Sequence, residues 1–266
     1  MPDSPLPLLH YDVHDGTGPP ILLVHGMLSS RAQWDPNLEA LSKVGRPVVV
    51  ELLGHGRSPS PDRPECYSPS HYCAQFEKIR ARLGAERWIV LGQSLGAALT
   101  LRYALDYPER VVAHAFTNSN SALADSDWRR QVRFGMRLLL ERLEREGPQA
   151  LEAMPVHPRH SRLPGDAKAA LVADAQLHTP RGVGLTALHT VADSSVRARI
   201  HENRRPCLLL VGERERRFAS HRAFAEAKMP MLDAVGLDAG HAVNIEVAAR
   251  FNEEVVAFLR EAARTA

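Results

Sequence analysis

Short apolar runs recur along the chain and predict buried β-strands. The runs lie at residues 21–25, 47–52, 87–92, 110–116, 206–212 and, more weakly, 232–237. They are continuous rather than alternating, which is typical of strands that are covered by helices on both faces. Residues 7–16, PLLHYDVHDG, predict an antiparallel strand at the edge of the same sheet.

Segments with helical spacing of apolar residues lie between these runs. They span residues 36–43, 70–83, 95–106, 220–228 and 244–263. Alternating strands and helices are typical of a sheet whose strands run parallel and whose crossovers are helical. The sequence therefore predicts an α/β fold, a doubly wound and mostly parallel sheet flanked by helices.

The alternation stops between residues 120 and 203, where helical patterns take over. Apolar side chains recur at helical spacing at Trp128, Val132, Met136, Leu139 and Leu143. Further helices are predicted near residues 166–178 and 185–200. We predict a core formed by residues 1–119 and 204–266, into which residues 120–203 are inserted as an all-helical lid, or cap, over one end of the sheet.

Composition is that of an ordinary soluble globular protein. The 266 residues are 44% hydrophobic and 24% charged, with a formal net charge of +2. Nothing in this charge indicates a nucleic acid or a membrane surface as partner. The N-terminal sequence lacks the cationic and apolar segments of a signal peptide, and no apolar run is long enough to span a bilayer. We therefore expect a cytoplasmic protein; the pattern indicates no particular oligomeric state.

Cysteine and histidine spacings give no sign of a metal site. Cys66, Cys73 and Cys207 are odd in number and have no CxxC spacing, so we interpret them as small hydrophobic residues. His157 and His160 have an HxxH spacing, but Pro158 lies between them and the segment has no helical frame. We expect no metal ligand there.

A polar motif, Gly92-Gln93-Ser94-Leu95-Gly96, stands where a predicted strand meets a predicted helix. A nucleophile on such a turn adopts a strained conformation with positive φ, and the residues two positions away on each side must be small. Gly92 and Gly96 occupy those positions. The turn would expose the Ser94 hydroxyl and direct the amide of Leu95 at a developing oxyanion. A serine hydroxyl also needs a base and an acid.

With this junction and three further motifs, the sequence resembles the α/β-hydrolase superfamily. The other motifs are His25-Gly26-Met27, Gly54-His55-Gly56-Arg57-Ser58 and Leu237-Asp238-Ala239-Gly240-His241. The resemblance covers nearly the whole chain outside the predicted lid. It implies a serine nucleophile at Ser94, a catalytic histidine at His241 and an oxyanion hole formed by the amides of Met27 and Leu95. It implies no metal or organic cofactor.

The acid of the triad is assigned by the same resemblance. It implies Glu215, three residues after the glycine that ends the strand predicted at 206–212, although most relatives carry aspartate at this position. Asp125 and Asp127 are the alternative, because some relatives place the acid after the preceding strand.

Residues beside the nucleophile and in the predicted lid are candidates for the substrate pocket. Gln93 adjoins Ser94, and Trp128 and Met136 either line an acyl pocket or pack the lid against the sheet. Four arginines lie among the apolar positions of the same predicted helix: Arg129, Arg130, Arg133 and Arg137. They either bind an anionic substrate or form a solvated helix face, and the solvated face is the simpler interpretation.

Together these features predict a serine hydrolase, an esterase or lactonase, that cleaves a small carboxylic ester or lactone through an acyl-enzyme. Two alternatives use the same triad: a carbon–carbon bond hydrolase and a pyruvate-eliminating lyase. A third, of another class, is a catalytically silent receptor that binds a ligand. The intact Ser94 and His241 favour an enzyme.

Overall fold

A computed structural model describes residues 8–265, and the ends of the predicted core at residues 1–7 and 266 lie outside this range. The strands form a seven-stranded sheet in the order β1-β3-β2-β4-β5-β6-β7, with β1 antiparallel to β3 and the other neighbours parallel. In chain order they are β1 Tyr11–Val13, β2 Pro20–Val24, β3 Arg46–Val50, β4 Trp88–Gly92, β5 Val111–Thr117, β6 Cys207–Gly212 and β7 Leu232–Leu237. The predicted α/β fold and its antiparallel edge strand are confirmed.

Helices connect and cover these strands. They are α1 Asp35–Ser42, α2 Pro69–Arg82, α3 Leu95–Asp106, α4 Ser126–Glu146, α5 Pro148–Glu152, α6 Gly165–Ala175, α7 Pro180–His189, α8 Ala219–Lys228, α9 Val243–Glu246 and α10 Ala248–Thr265. The helix predicted at 244–263 is interrupted at Val247, which gives α9 and α10. Across residues 8–265, every helix is too short or too polar to cross a membrane.

The two faces of the sheet carry separate hydrophobic cores. Leu22 and Val24 of β2 pack in the core that contains residues of α2 and α3, whereas Ile21 and Leu23 pack in the core that contains residues of α1 and α10. Because successive residues of a strand point to opposite faces, both sets must be apolar. This explains why the strands read as continuous apolar runs.

The segment between β5 and β6, which we call the helical insertion (residues 120–203), contains α4 to α7. It is attached to the core at the start of α7, where the backbone of Gly182 lies so close to Gly54 that neither could carry a side chain without a collision. Thr186 donates a hydrogen bond of 3.0 Å from its hydroxyl to the carbonyl oxygen of Leu53. The insertion is therefore packed against a core loop and is not a detached unit.

The third helix predicted in the insertion, at residues 185–200, is wrong in its bounds. The structure has α7 at Pro180–His189, with the proline in the first turn where its missing N–H costs no hydrogen bond. The apolar spacing continues beyond the helix, but Ser194 and Ser195 donate their hydroxyls to backbone carbonyl oxygens. Bonds of this kind compete with a helix, and the chain forms short 3₁₀ turns instead.

The β4–α3 junction is tightly packed around two glycines. A Cβ at Gly96 would collide with the carbonyl oxygen of Val24 in the neighbouring strand, and a Cβ at Gly92 would collide with the carbonyl oxygen of Gly96. In both cases the obstacle is backbone, which cannot rotate away. Only glycine fits at either position.

Gly96→Ala should lower the free energy of unfolding by about 3 kcal/mol, because overpacking against fixed backbone costs about that much. The matched control is Gly135→Ala in α4, where a Cβ meets no atom within 4 Å. There alanine should raise the free energy of unfolding by about 0.5 to 1 kcal/mol through its better helix propensity. Urea denaturation of wild type and the two variants measures both changes in the free energy of unfolding. Equal free energies of unfolding for the two variants would contradict the prediction.

Candidate active site

Ser94 lies at the carboxyl end of β4 in a strained backbone conformation, with φ 53° and ψ −112°. A non-glycine residue with positive φ outside the usual left-handed region costs about 1 to 3 kcal/mol and persists only where its surroundings enforce it. Helix α3 begins at the next residue, Leu95. The serine side chain is thus held at the edge of the sheet where the strand gives way to the helix.

The side chains of Ser94, His241 and Glu215, from distant parts of the chain, are joined by hydrogen bonds, and we call this group the relay. Nε2 of His241 lies 2.8 Å from Oγ of Ser94, and Nδ1 of His241 lies 2.8 Å from Oε2 of Glu215. An ionised carboxylate only accepts hydrogen bonds, so Nδ1 carries the ring proton and Nε2 is left to accept the hydrogen of the serine hydroxyl. The tautomer of His241 is therefore set by Glu215.

Two asparagines at the end of β5 hold this carboxylate. Asn118 Nδ2 donates to Oε2 of Glu215 at 2.8 Å, and Asn120 Nδ2 donates to Oε1 at 3.0 Å. Burial acts to raise the pKa of Glu215, but the hydrogen bonds from His241, Asn118 and Asn120 together with the attraction of His241 outweigh it, so that the pKa is lowered. Neither asparagine was identified from the sequence. The one sequence feature that could have indicated them is their position directly after β5.

Asp125, the alternative acid, has a different position. It precedes α4, and its carboxylate accepts the backbone N–H groups of Asp127 at 3.1 Å and Trp128 at 2.8 Å. These are the contacts of a helix N-cap, which satisfy donors that the first turn leaves free. The structure brings Glu215, and not Asp125, to His241.

Two backbone amides border Ser94 without a hydrogen-bond acceptor. The N–H of Leu95 belongs to the first turn of α3, where no acceptor is available within the helix. Within residues 8–265, neither this N–H nor that of Met27 donates a hydrogen bond, and both residues line the same cavity as Ser94. An anion beside the serine oxygen could accept from both.

Buried histidines shape the loop that carries Met27. Leu28 follows it with φ 54°, and its N–H donates to Nε2 of His55 at 3.1 Å. Nε2 of His25 accepts from the N–H of Leu52 at 3.0 Å, and the ring of His178 lies against that of His55, with centroids 5.0 Å apart. Both His25 and His55 thus accept hydrogen bonds from backbone.

Burial keeps these rings uncharged. It lowers the pKa of His25 to about 3, that of His55 to about 4 and that of His178 to about 2, with a smaller contribution from neighbouring histidines to the shifts of His25 and His178. A neutral ring keeps one nitrogen free as an acceptor, whereas a protonated ring has none. The hydrogen bonds to Leu28 and Leu52 therefore persist at neutral pH.

The loop that carries His241 is held from both sides. Glu246 accepts the N–H of Gly240 at 2.8 Å and that of Ala242 at 3.2 Å, and it forms an ion pair of 2.9 Å with Arg214. From the other direction, Gln93 donates its side-chain amide to the carbonyl oxygen of His241 at 3.1 Å. Gln93 thus contacts the histidine loop as well as the cavity.

A cavity of about 890 Å³ lies between the carboxyl edge of the sheet and the helical insertion. The predicted residues that line it include Met27, Gln93, Ser94, Leu95, Trp128 and Met136. Its volume is in the range of pockets that hold a small organic ligand. Ser94 and His241 both face this space, so the relay opens onto the cavity.

The four arginines considered as ligands of an anionic substrate do not line the cavity, which agrees with the simpler interpretation of a solvated helix face. The residues that line a separate surface depression include Arg129, Arg130, Arg133 and Arg137. Nη2 of Arg129 there lies 3.3 Å from Oδ1 of Asp193, so its charge is offset within the insertion. Arg162 and Arg214 line the cavity instead.

Metal-ligand clusters are absent from residues 8–265, where no group of three or more His, Cys, Asp or Glu side chains has a suitable arrangement. His157 is buried and lines the cavity, whereas His160 is exposed. The three cysteines are buried and free.

The family model of the alpha/beta hydrolase fold matches residues 19–246. The chain therefore belongs to the α/β-hydrolase fold family. A putative 2-succinyl-6-hydroxy-2,4-cyclohexadiene-1-carboxylate synthase of Bacillus subtilis is 25% identical over 250 residues, which cover 90% of this chain and 89% of that protein. Bifunctional epoxide hydrolase 2 of Sus scrofa is 35% identical over 112 residues, which cover 42% of this chain and only 20% of that protein.

Solved structures show the same fold along nearly the whole chain. MenH from S. aureus has a TM-score of 0.84 at 17% identity and covers 96% of this chain and 99% of its own. The enol-lactonase from Burkholderia xenovorans LB400 has a TM-score of 0.72 at 21% identity and covers 95% of this chain and 96% of its own. At these identities the likeness establishes the shared fold alone.

Asn120→Ala should raise the pKa of Glu215, because it removes a donor that favours the ionised carboxylate. A group whose folded-state pKa is lowered stabilises the fold above its unfolded pKa, and this stability is lost as the pH falls through the folded value. In the variant this stabilisation should therefore be smaller, and its loss should be complete at a higher pH. Carboxyl NMR titration measures the pKa, and Ser121→Ala, which removes no contact to Glu215, is the control. An unchanged pKa in Asn120→Ala would contradict the role of this asparagine.

Proposed function

We propose that the protein is a serine hydrolase that cleaves a small carboxylic ester or lactone through an acyl-enzyme intermediate. The observation that carries the proposal is the relay from Ser94 through His241 to Glu215, which opens onto a cavity bordered by two unpaired backbone amides. Membership of the α/β-hydrolase fold family supports hydrolase chemistry. The cytoplasmic location expected from the sequence stays a prediction.

In the first half-reaction, Oγ of Ser94 attacks the carbonyl carbon of the ester while its proton moves to Nε2 of His241. The carbonyl oxygen becomes an oxyanion, which accepts hydrogen bonds from the N–H groups of Met27 and Leu95. Glu215 stabilises the imidazolium and keeps its orientation. Collapse of the tetrahedral intermediate breaks the bond to the alkoxy group, which leaves as an alcohol with the proton from His241.

The second half-reaction releases the acyl group. A water molecule donates a proton to Nε2 of His241 as its oxygen attacks the acyl carbon, and the same two amides hold the second oxyanion. Ser94 then leaves as a hydroxyl with that proton. For a lactone, the alcohol and the acid are parts of one ring-opened product.

Epoxide hydrolysis fits this site less well, despite the local similarity to an epoxide hydrolase. Attack of a serine oxygen on an epoxide carbon would produce an ether, which has no carbonyl for water to attack. The enzyme would be alkylated and could not turn over. An acyl group on Ser94 does not have this difficulty, because its ester is cleaved by the same machinery that formed it.

A second candidate is a lyase or carbon–carbon hydrolase that uses the same triad on an acidic substrate. The similarity over 90% of the chain to a putative carboxylate synthase of Bacillus subtilis favours it. Steady-state rates on simple p-nitrophenyl esters and on dienoic acids separate this candidate from the first. A rate that depends on Ser94 with dienoic acids, together with none on the esters, would favour the second.

Ser94→Ala should reduce kcat on a p-nitrophenyl ester by a factor of about 10⁴ or more, because it removes the nucleophile. Ser42→Ala, on α1 and outside the cavity, is the matched control and should retain activity. A fluorophosphonate probe should label the wild type and not Ser94→Ala. Full esterase activity in Ser94→Ala would refute the assignment, and a wild type without label or turnover would favour the silent receptor.

Glu215→Gln should reduce kcat by a factor of about 10³ to 10⁴, because an amide no longer fixes the tautomer of His241. Asp125→Asn is a close control, since asparagine caps a helix about as well as aspartate and should leave both fold and rate nearly unchanged. The two variants are compared by kcat on the same ester. A larger loss in Asp125→Asn would move the role of the acid to that residue.

A further inference from the structure

One wall of the cavity is a short polar segment of the insertion. More than half of the residues that line the cavity are apolar, but residues 157–162 contribute His157, Ser161 and Arg162. The segment is a single 3₁₀ turn, Pro158–His160, with its flanking residues. All three polar side chains belong to one turn, and none takes part in the Ser94 relay.

His157 is 3% exposed and has one ring nitrogen left without a partner. Its Nδ1 accepts the N–H of Arg159 at 3.3 Å, so the proton of the neutral ring is on Nε2. Burial lowers the pKa of this histidine, which keeps the ring neutral. Among residues 8–265 no acceptor contacts Nε2, and the ring lines the cavity. The Nε2–H group of His157 is thus an unpaired hydrogen-bond donor at the cavity wall.

Ser161 and Arg162 add two further groups without partners. The hydroxyl of Ser161 is buried and makes no hydrogen bond, which costs about 1 to 3 kcal/mol in a folded protein. Within the described part of the chain, the guanidinium of Arg162 forms neither an ion pair nor a hydrogen bond, although it lines the cavity. Its neighbour Arg159 differs, since it is paired with Glu152 at 2.6 Å and lies outside the cavity lining.

The charge of this turn is positive. Besides Arg162, the ammonium group of Lys168 lies beside it and donates to the carbonyl oxygen of Ser161 at 2.9 Å. The one carboxylate that lines the cavity, Glu246, is held by Arg214 and by two backbone amides. Residues 157–162 contain no carboxylate, so a cation would be repelled by the positive charges there, whereas an anion would find a donor at His157 and an unpaired guanidinium at Arg162.

We propose that residues His157, Ser161 and Arg162 form a subsite for a carboxylate on the acyl part of the substrate. This inference rests on the proposed function and narrows its substrate to esters or lactones of acids that carry a second, distal carboxyl group. The acyl part reacts in both half-reactions, first with Ser94 and then with water, so a contact at its far end orients it for both. Arginine suits this task because its planar group can bind a carboxylate through two hydrogen bonds.

Selectivity between acidic and neutral esters tests the subsite. The probes are p-nitrophenyl hemi-esters of succinate, adipate and suberate, each compared with the p-nitrophenyl ester of the neutral acid of equal chain length. Wild type should favour an acidic ester in kcat/KM by about tenfold or more. Arg162→Gln should reduce this ratio about tenfold to hundredfold, and Arg162→Lys should reduce it less, because it retains the charge.

Arg159→Gln is the matched control, because it removes an arginine from the same turn that is paired and outside the cavity. It should leave the ratio of acidic to neutral rates unchanged. The proposal is wrong if Arg162→Gln lowers the two rates equally, or if wild type favours the neutral ester at every chain length. Either result would contradict the subsite but would not contradict the proposed esterase activity.

Binding of the free diacids separates this proposal from the proposed function. Isothermal titration of adipate and suberate into wild type and Arg162→Gln requires no turnover. Weaker binding to Arg162→Gln by about tenfold or more supports the subsite, even if wild type cleaves none of the esters and the proposed function fails. Equal affinity of both diacids for the two proteins would overturn the subsite, whatever the esterase assays show.

Discussion

The close approach of backbone around Ser94 is the constraint on which the site depends. The turn after β2, the turn after β4 and the first turn of α3 meet at Gly26, Gly92 and Gly96, and none of these three positions has room for a Cβ. A Cβ at Gly26 would collide with the side chain of Gln93, just as one at Gly96 would collide with the backbone of β2. Contacts of this kind over-determine a strained residue and allow a positive φ at Ser94 to persist.

Met27 and Leu95 each belong to one of the turns that meet around Ser94, and both residues line the same cavity as this serine. Buried, neutral histidines support the Met27 side by accepting backbone hydrogen bonds. The Met27 side of the site is therefore formed by main-chain groups, and the side chains of His25 and His55 hold that backbone in position.

Glu215 shows how a longer acidic side chain is accommodated where aspartate is usual in this family. Its extra methylene group gives the carboxylate more freedom, and the amides of Asn118 and Asn120 restrict it by donating to one oxygen each. Asn118 also exchanges two hydrogen bonds with the backbone of Gly212, at 3.1 and 3.0 Å. The carboxylate is thus held by the strand next to its own.

Much of this arrangement could be predicted from local sequence. Apolar runs mark the strands because both faces of the sheet are covered, and the glycines two positions from Ser94 mark the turn because backbone excludes any other residue there. The resemblance to the α/β-hydrolase superfamily implied Ser94, His241 and Glu215, with Asp125 and Asp127 as alternative acids, and the structure brings the first three together.

Other features depend on tertiary contacts that spacing does not encode. Asn120 reaches Glu215 because β5 pairs with β6. Arg162 lines the cavity because the insertion packs over the sheet. Helix α7 ends although its apolar spacing continues, because the hydroxyls of Ser194 and Ser195, which lie after the helix, donate to backbone carbonyl oxygens.

The pairing of β5 with β6 has a consequence for how proteins of this design diversify. The chain leaves the sheet after Thr117 and returns at Cys207, yet these two strands are paired neighbours, and Asn118, which lies before the insertion, donates a hydrogen bond to Glu215. The two ends of the insertion are therefore held together by the pairing of β5 with β6, whatever the sequence between them. A change in the length or sequence of the intervening helices would therefore reshape the cavity without breaking the pairing of β5 with β6.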